Sequence, residues 1–153
     1  MAEIKLTRVD FRLIHGQIVV IDNVVAGDEF MLRVYASAVP AGITVKAYDE
    51  AKALRLWNKN RFGEGKKVLI LFKDLETCHR MIQAGMDLKS VQLGGVPQMQ
   101  DRKAVKRAIF LGPKEMQQLK ELHDMGVEIT AQLVPEDSKY DYDGIVKAYG
   151  SDK

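Results

Sequence analysis

Apolar and polar residues alternate from Ile4 to Val9, the period of a strand with one buried face. Ile18 to Ile21 (IVVI) is instead a continuous β-branched run, the composition of a strand covered on both faces. Phe30, Met31, Val34, Tyr35 and Ala38 fall on one helical stripe that Asp28 can cap, which predicts a helix over 28–38. Pro40-Ala41-Gly42 reads as a loop, Ile43 to Tyr48 as a strand, and about Asp49 to Asn58 as a second helix, broken by Arg61-Phe62-Gly63-Glu64-Gly65. Val68 to Phe72 (VLILF) is the clearest buried strand. Asp74 and Thr77 offer capping groups for a helix through Ala84, with Gly85 at the position that ends it. Val91 and Leu93 mark a short strand ending in Gly94-Gly95, and Ala108 to Leu111 (AIFL) marks another. Pro113 suits the first turn of a helix to Met125, with Gly126 just after it. Val127 to Val134 alternates again, and a short helix is expected near Ile145 to Tyr149.

Strands and helices alternate almost throughout. That order predicts an α/β fold, a mainly parallel central sheet with helices on both faces. One domain is expected over residues 1–153, with a polar tail from about 135. In such a sheet the carboxyl ends of parallel strands share one edge. The segments after Val9, after Phe72 and after Leu93 are therefore expected to meet there and build one site.

Composition narrows the classes. The 153 residues are 46% hydrophobic and 29% charged, ordinary for a globular domain. A formal net charge of +2 gives no global electrostatic case for nucleic acid. Cys78 is the one cysteine, so no intramolecular disulfide can form, consistent with a reducing compartment. The N-terminus MAEIKLTRVD lacks the apolar stretch of a signal peptide, and no window approaches the roughly 20 apolar residues of a membrane span, so a cytoplasmic location is expected. There is no Gly-x-x-x-x-Gly-Lys-Ser/Thr loop, no Gly-x-Gly-x-x-Gly fingerprint and no Gly-x-Ser-x-Gly elbow, which removes the sequence case for a nucleoside triphosphatase, a dinucleotide dehydrogenase or an α/β-hydrolase.

The chemistry-bearing string is VDFRLIHGQ, Val9 to Gln17. His15 is a candidate nucleophile or general base, or else a surface or capping histidine. Arg12 carries a fork of donors suited to phosphoryl oxygens, and its charge favours the neutral, nucleophilic form of a nearby imidazole. Taken alone it is equally a solvated charge. Gly16 lets backbone N–H groups approach an anion, and Gln17 can donate to one. Asp10 can accept from an imidazole nitrogen and fix its tautomer, pair with Arg8 or Arg12, or cap the turn. Lys73 can neutralise an anion at the shared edge, or face solvent. Gly94-Gly95 is a close-approach loop or a flexible turn. Cys78 and His79, adjacent on a helix and about 100° apart, are poorly placed to share a metal, and His123 lies on another helix, so no metal site is predicted. Arg102, Lys103, Lys106 and Arg107 form a basic cluster, a solvated face or a dock for an acidic partner. Trp57 is expected to pack rather than stack on a ligand.

TRVDFRLIHGQIV, then AVPAGITV, KVLILFKD, VQLGGV and ELHDMGVEI resemble the B component of mannose/fructose/sorbose-type sugar phosphotransferase systems, over Glu3 to about Glu136. The Arg-x-Asp-x-Arg-Leu-Ile-His-Gly-Gln string, Arg8 to Gln17, is highly specific to that family. The resemblance implies a cytoplasmic α/β protein, peripheral to the membrane through its transporter. It implies that His15 takes a phosphoryl group from a phosphohistidine of the A component. His15 then hands the group to a sugar carried in by the membrane C and D components. Arg12 would contact the phosphoryl group, Asp10 would lie near the histidine, and Lys73 and Gly94-Gly95 would flank the active loop with Gly16 and Gln17. No metal, nucleotide or other cofactor is implied, and no nucleic-acid partner; a homodimer is open.

Two departures stand out. Phe11 replaces an aspartate common in that family. The stretch between His15-Gly16-Gln17 and Val20-Ile21-Asp22 is about a dozen residues short, a crossover's length. Either the Ile18 run begins a shortened helix, or the first crossover is replaced by something non-standard, or a segment is absent from the chain as given. These departures motivate an alternative: a non-catalytic regulatory module on the same fold. A receiver-like reading wants adjacent acidic residues after the first strand, and Val9-Asp10-Phe11 supplies only one.

Overall fold

The computed structural model describes residues 3–10, 18–22, 45–48, 50–59, 67–132 and 137–150. The expected helix at 28–38, the loop at 40–42 and the break at 61–65 lie outside them, as do Phe11, Arg12, His15, Gly16 and Gln17.

Among the described residues nine strands and four helices follow in chain order: β1 (Glu3–Asp10), β2 (Ile18–Asp22), β3 (Val45–Tyr48), α1 (Glu50–Asn58), β4 (Lys67–Phe72), α2 (Leu75–Gln83), β5 (Ser90–Gly95), β6 (Lys103–Lys106), β7 (Ile109–Leu111), α3 (Pro113–Asp124), β8 (Glu128–Ala131), β9 (Tyr140–Asp141) and α4 (Tyr142–Tyr149). Seven strands form one sheet in the order β3-β2-β4-β1-β5-β8-β9. β1 pairs in parallel with β4 and β5, and β5 with β8. β2 runs antiparallel to both β3 and β4, so β3 shares the direction of the parallel set. The mainly parallel α/β sheet expected from the alternation is what forms.

The direction of β2 accommodates the short segment. Seven residues separate Asp10 from Ile18. A parallel return needs a crossover of a dozen residues or more, because the chain must travel back the length of the sheet. Antiparallel entry needs no return: Ile18 begins β2 opposite Phe72, the last residue of β4. The Ile18 run is thus a strand and not the start of a helix, and it enters the sheet antiparallel to β4. The chain leaves the sheet at its carboxyl edge and re-enters it at the same edge.

From β3 onward the connections are ordinary crossovers. β3 to β4, β4 to β5 and β5 to β8 each advance in the same sense through the sheet. Right-handed connections then lay α1, α2 and α3 side by side on one face. Cross-helix contacts agree. Arg80 of α2 donates to both carboxylate oxygens of Glu50 at the start of α1, each at 2.8 Å. His79 of α2 lies 2.6 Å from Glu121 of α3. Alternation along the strands sends Val9, Ile70, Phe72, Leu93, Ile129 and Ala131 into the core, where Cys78, Met81, Leu119 and Leu122 join them.

The helix ends follow their sequence signals. The Asp74 side chain accepts from the Thr77 N–H at 2.7 Å, capping α2, and Gly85 just beyond its end adopts φ 120°, a conformation glycine reaches without strain. Pro113 opens α3, as expected. Trp57 packs against the core.

The short strands β6, β7 and β9 differ from expectation. The Ala108–Leu111 strand does not join the central sheet. It begins at Ile109 as β7 and pairs antiparallel with β6 in a separate two-stranded ribbon, set against the end of β5 by a bridge between Val96 and Ile109. The basic cluster is accordingly not a uniform solvated face. Arg102 is 16% exposed and pairs with Glu115 at 3.2 Å, while Lys103 and Lys106 lie over the rings of Tyr149 and Tyr140 at 4.5 and 4.4 Å. Arg107 is 76% exposed, and Lys103 is exposed as well. The two-residue strand β9 was also not anticipated.

Candidate functional site at the carboxyl edge of β1 and β5

The connection from β1 leads toward one side of the sheet and that from β5 toward the other. The strand order therefore reverses between β1 and β5. In open α/β sheets a crevice forms outside the carboxyl ends of such a pair, and ligands bind there.

Register brings several of the expected residues to that point. Asp10, the last residue of β1, is opposite Gly95, the last of β5. Val9 is opposite Phe72, so Lys73 follows on the same edge, exposed, one residue before the Asp74 cap. Asp10, Lys73, Gly94 and Gly95 are thus gathered at one edge. His15, Arg12, Gly16 and Gln17 belong to the undescribed stretch, whose flanking residues Asp10 and Ile18 both stand on this edge.

The glycines differ from the sequence expectation. They are the closing residues of β5, both buried, and not a free loop. The pairing slips here, from Val9 opposite Leu93 to Asp10 opposite Gly95, leaving Gly94 as the extra residue of a bulge-like irregularity. The close approach at Gly94 is made by a side chain of the protein itself. A Cβ at that position would sit well under 3.0 Å from the Arg8 guanidinium.

Arg8 enters the sequence reading only as a possible partner of Asp10 and the start of the string, with no role of its own. Strand alternation puts it on the same face as Asp10, and both are buried, 3% and 0% exposed. Arg8 Nε donates toward Asp10 Oδ2 at 3.4 Å, so pairing with Arg8 is one of the roles that Asp10 fills. Arg8 Nη1 donates to Gln92 Oε1 and, at 3.0 Å, to the Gln132 carbonyl. Gln92 Nε2 donates to Gln132 Oε1 at 3.2 Å, and Gln132 Nε2 to the Asp137 carbonyl at 2.9 Å. A polar layer of arginine, aspartate and two glutamines therefore underlies the edge. A signal for it existed: Gln92 and Gln132 interrupt apolar strands, in VQL and AQL, where a buried polar residue needs a partner.

The remaining chemistry-bearing residues stand elsewhere. Cys78 is fully buried in the core, and burial pushes its thiol well above the usual range, so it is not a nucleophile. His79 is engaged with Glu121, and His123 stacks on Tyr142 at 4.0 Å between ring centres. Among the described residues no group of three or more His, Cys, Asp or Glu side chains is placed to hold a metal ion, and no helix is long and apolar enough to cross a membrane.

The sequence is 30% identical over 149 residues to the mannose-specific EIIAB component of Escherichia coli, a match that covers 89% of this chain and 46% of that protein. The chain thus spans about half the length of that curated relative. It is 27% identical over 151 residues to the sorbose-specific EIIB component of Lacticaseibacillus casei, covering 90% and 92% of the two. Its fold superposes on the crystal structure of manxB from Thermoanaerobacter tengcongensis with a TM-score of 0.76 at 29% identity, across 99% of both chains. The IIBSor domain of the sorbose permease from Klebsiella pneumoniae gives a TM-score of 0.71 at 22% identity, covering 95% and 97%. Residues 4–153 match the family model for the sorbose subfamily IIB component of the phosphotransferase system, and the chain belongs to that family.

Proposed function

We propose that this chain is a phosphocarrier of a sugar phosphotransferase system, with His15 as the covalent acceptor. The phosphoryl group comes from a phosphohistidine on an A component and goes to a sugar entering through membrane C and D components. The observation that supports this reading is the position of the two ends of the Arg8–Gln17 string. Its first residues, Arg8 and Asp10, close β1 at the switch point beside β5, and the strand that follows it starts on the same edge.

In the first step the lone pair of a neutral His15 nitrogen attacks phosphorus, and the donor imidazole leaves with the electrons of the former P–N bond. In the second, a sugar hydroxyl oxygen attacks and the bond to His15 breaks. The hydroxyl proton passes to solvent or to the released imidazole. Such transfers depend on alignment and on stabilising the oxygens' charge more than on acid–base chemistry. Arg12 supplies a guanidinium for the oxygens, and Gly16 and Gln17 supply backbone and side-chain donors. Lys73, exposed on the same edge, adds positive charge. Asp10 holds the other imidazole nitrogen and so orients the ring. The protein works in the cytoplasm, docked on the inner face of the membrane through its transporter.

The antiparallel β2 keeps a second reading in view: a module that binds its partners without relaying phosphate. The discriminating experiment is sugar uptake in cells whose only B component is this chain, expressed with A, C and D components of a mannose-type system. Uptake that disappears in His15→Ala supports the carrier. Uptake that is absent with the wild-type chain, although it binds the A component, favours the second reading.

A further inference from the structure

We infer that Arg8 is a positioning residue for the phosphoryl-accepting loop, acting through Asp10, with Gln92 and Gln132 fixing the direction of its guanidinium. This inference rests on the reading of His15 as the acceptor.

Arg8 and Asp10 are two residues apart on one face of β1, and both are withdrawn from water. A buried ion pair is costly to desolvate and is often no more stabilising than apolar side chains of the same size. Fold stability alone gives little reason to place one here. The geometry around the pair supplies another. The guanidinium is held at its far end by Gln92 Oε1 and the Gln132 carbonyl, while Nε faces Asp10.

The two amides cannot turn over without loss. The Gln92 oxygen must face Arg8, because its nitrogen donates to Gln132 Oε1. Gln132 Oε1 must face Gln92, because its own nitrogen donates to the Asp137 carbonyl. Each amide thus sets the orientation of the next, and the last sets the guanidinium. Gly94 leaves the space in which the guanidinium lies.

The beneficiary is Asp10, the final β1 residue before the stretch that carries Arg12 and His15. A carboxylate that orients an imidazole works only if its own direction is fixed, and displacement by an ångström at a reacting centre can cost about 100-fold in rate. Charge alone would not fix it. A lysine ammonium is a point charge, whereas the planar fork of arginine can serve Asp10 on one side and two acceptors on the other.

The test is single-turnover transfer to this chain from the phosphorylated A domain of a mannose-type system, at varied donor concentration. Thermal unfolding of each variant is measured beside it. Arg8→Gln and Gln92→Met are expected to slow the limiting transfer rate by about 10- to 100-fold, with the half-saturating donor concentration unchanged. Arg8→Lys is expected to recover thermal stability relative to Arg8→Gln without recovering the rate. Folded variants that transfer at the wild-type rate would make Arg8 merely structural and overturn the inference. Should the Arg8 variants not fold, Gln92→Met decides: it keeps the charge and removes the amide that directs it, together with that amide's bond to Gln132. A wild-type rate in Gln92→Met overturns the inference. A wild-type chain that accepts no phosphoryl group fails differently, because it overturns the acceptor reading itself and this inference with it.

Discussion

The guanidinium of Arg8 occupies the space that a side chain at position 94 would fill, so Gly94 and Arg8 are complementary across the β1–β5 pair. A flexible arginine could swing away from an added methyl, but here it would give up Gln92, Gln132 and Asp10 to do so. Gly94→Ala is therefore expected to destabilise the fold by about 1–3 kcal/mol. In an Arg8→Ala background the same change should cost less, with a coupling of at least about 0.5 kcal/mol. Urea unfolding of the four proteins of the cycle measures both numbers. Additive effects would mean that the two residues are not coupled.

Ala108 sits in the β6–β7 turn at φ 66°, the left-handed region, where a Cβ crowds the following carbonyl. Its position is held from outside, since its carbonyl accepts from Val96 N–H at 2.9 Å. Ala108→Gly removes the crowding but gives the unfolded chain more freedom. The net expectation is a gain below about 1 kcal/mol. Ala108→Val should destabilise instead. Thermal melts of the two variants beside wild type check the pair of signs.

The Glu50–Arg80 fork joins α1 to α2 and makes stability depend on acid. Its side-chain hydrogen bonds from Arg80 hold the Glu50 carboxyl below its ordinary value, against a smaller upward push from burial. A carboxyl with a lowered folded-state pKa contributes stability that is fully present above its unfolded pKa and is lost as pH falls through the folded value. Glu50→Gln should therefore melt below wild type at pH 7. The two melting temperatures should converge as pH falls through and below the carboxylate range. A gap that persists in acid would assign the effect to packing and not to the ion pair.

Much of the fold can be read directly from the residues. β4 carries a run of five apolar residues, VLILF, after Lys67; α2 is bracketed by Asp74 and Gly85; α3 opens on Pro113 and closes before Gly126. In each, local chemistry and burial ask for the same structure. β6 (Lys-Ala-Val-Lys) was hidden because only Val105 of its four residues is buried, so its composition reads as surface. The direction of β2 is not written in IVVID at all. A strand's residues record burial, whereas its direction follows from the length of the connection before it and from its neighbours. The site was half legible for a related reason. The Arg8–Gln17 string announces its chemistry by residue type and spacing, but Arg8 looked like an ordinary polar position of an alternating strand. Only the register, which sets it beside Gln92 and over Gly94, shows that its face is closed to water.

The central claim is that His15 carries the phosphoryl group. Its most direct test is the intact mass of the protein after incubation with a phosphorylated A component, wild type beside His15→Ala, kept at neutral to basic pH because phosphohistidine is acid-labile. The account predicts a gain of one phosphoryl group in wild type and none in His15→Ala. A gain of equal size in His15→Ala, or no gain in wild type with a donor that charges another B component, would contradict it.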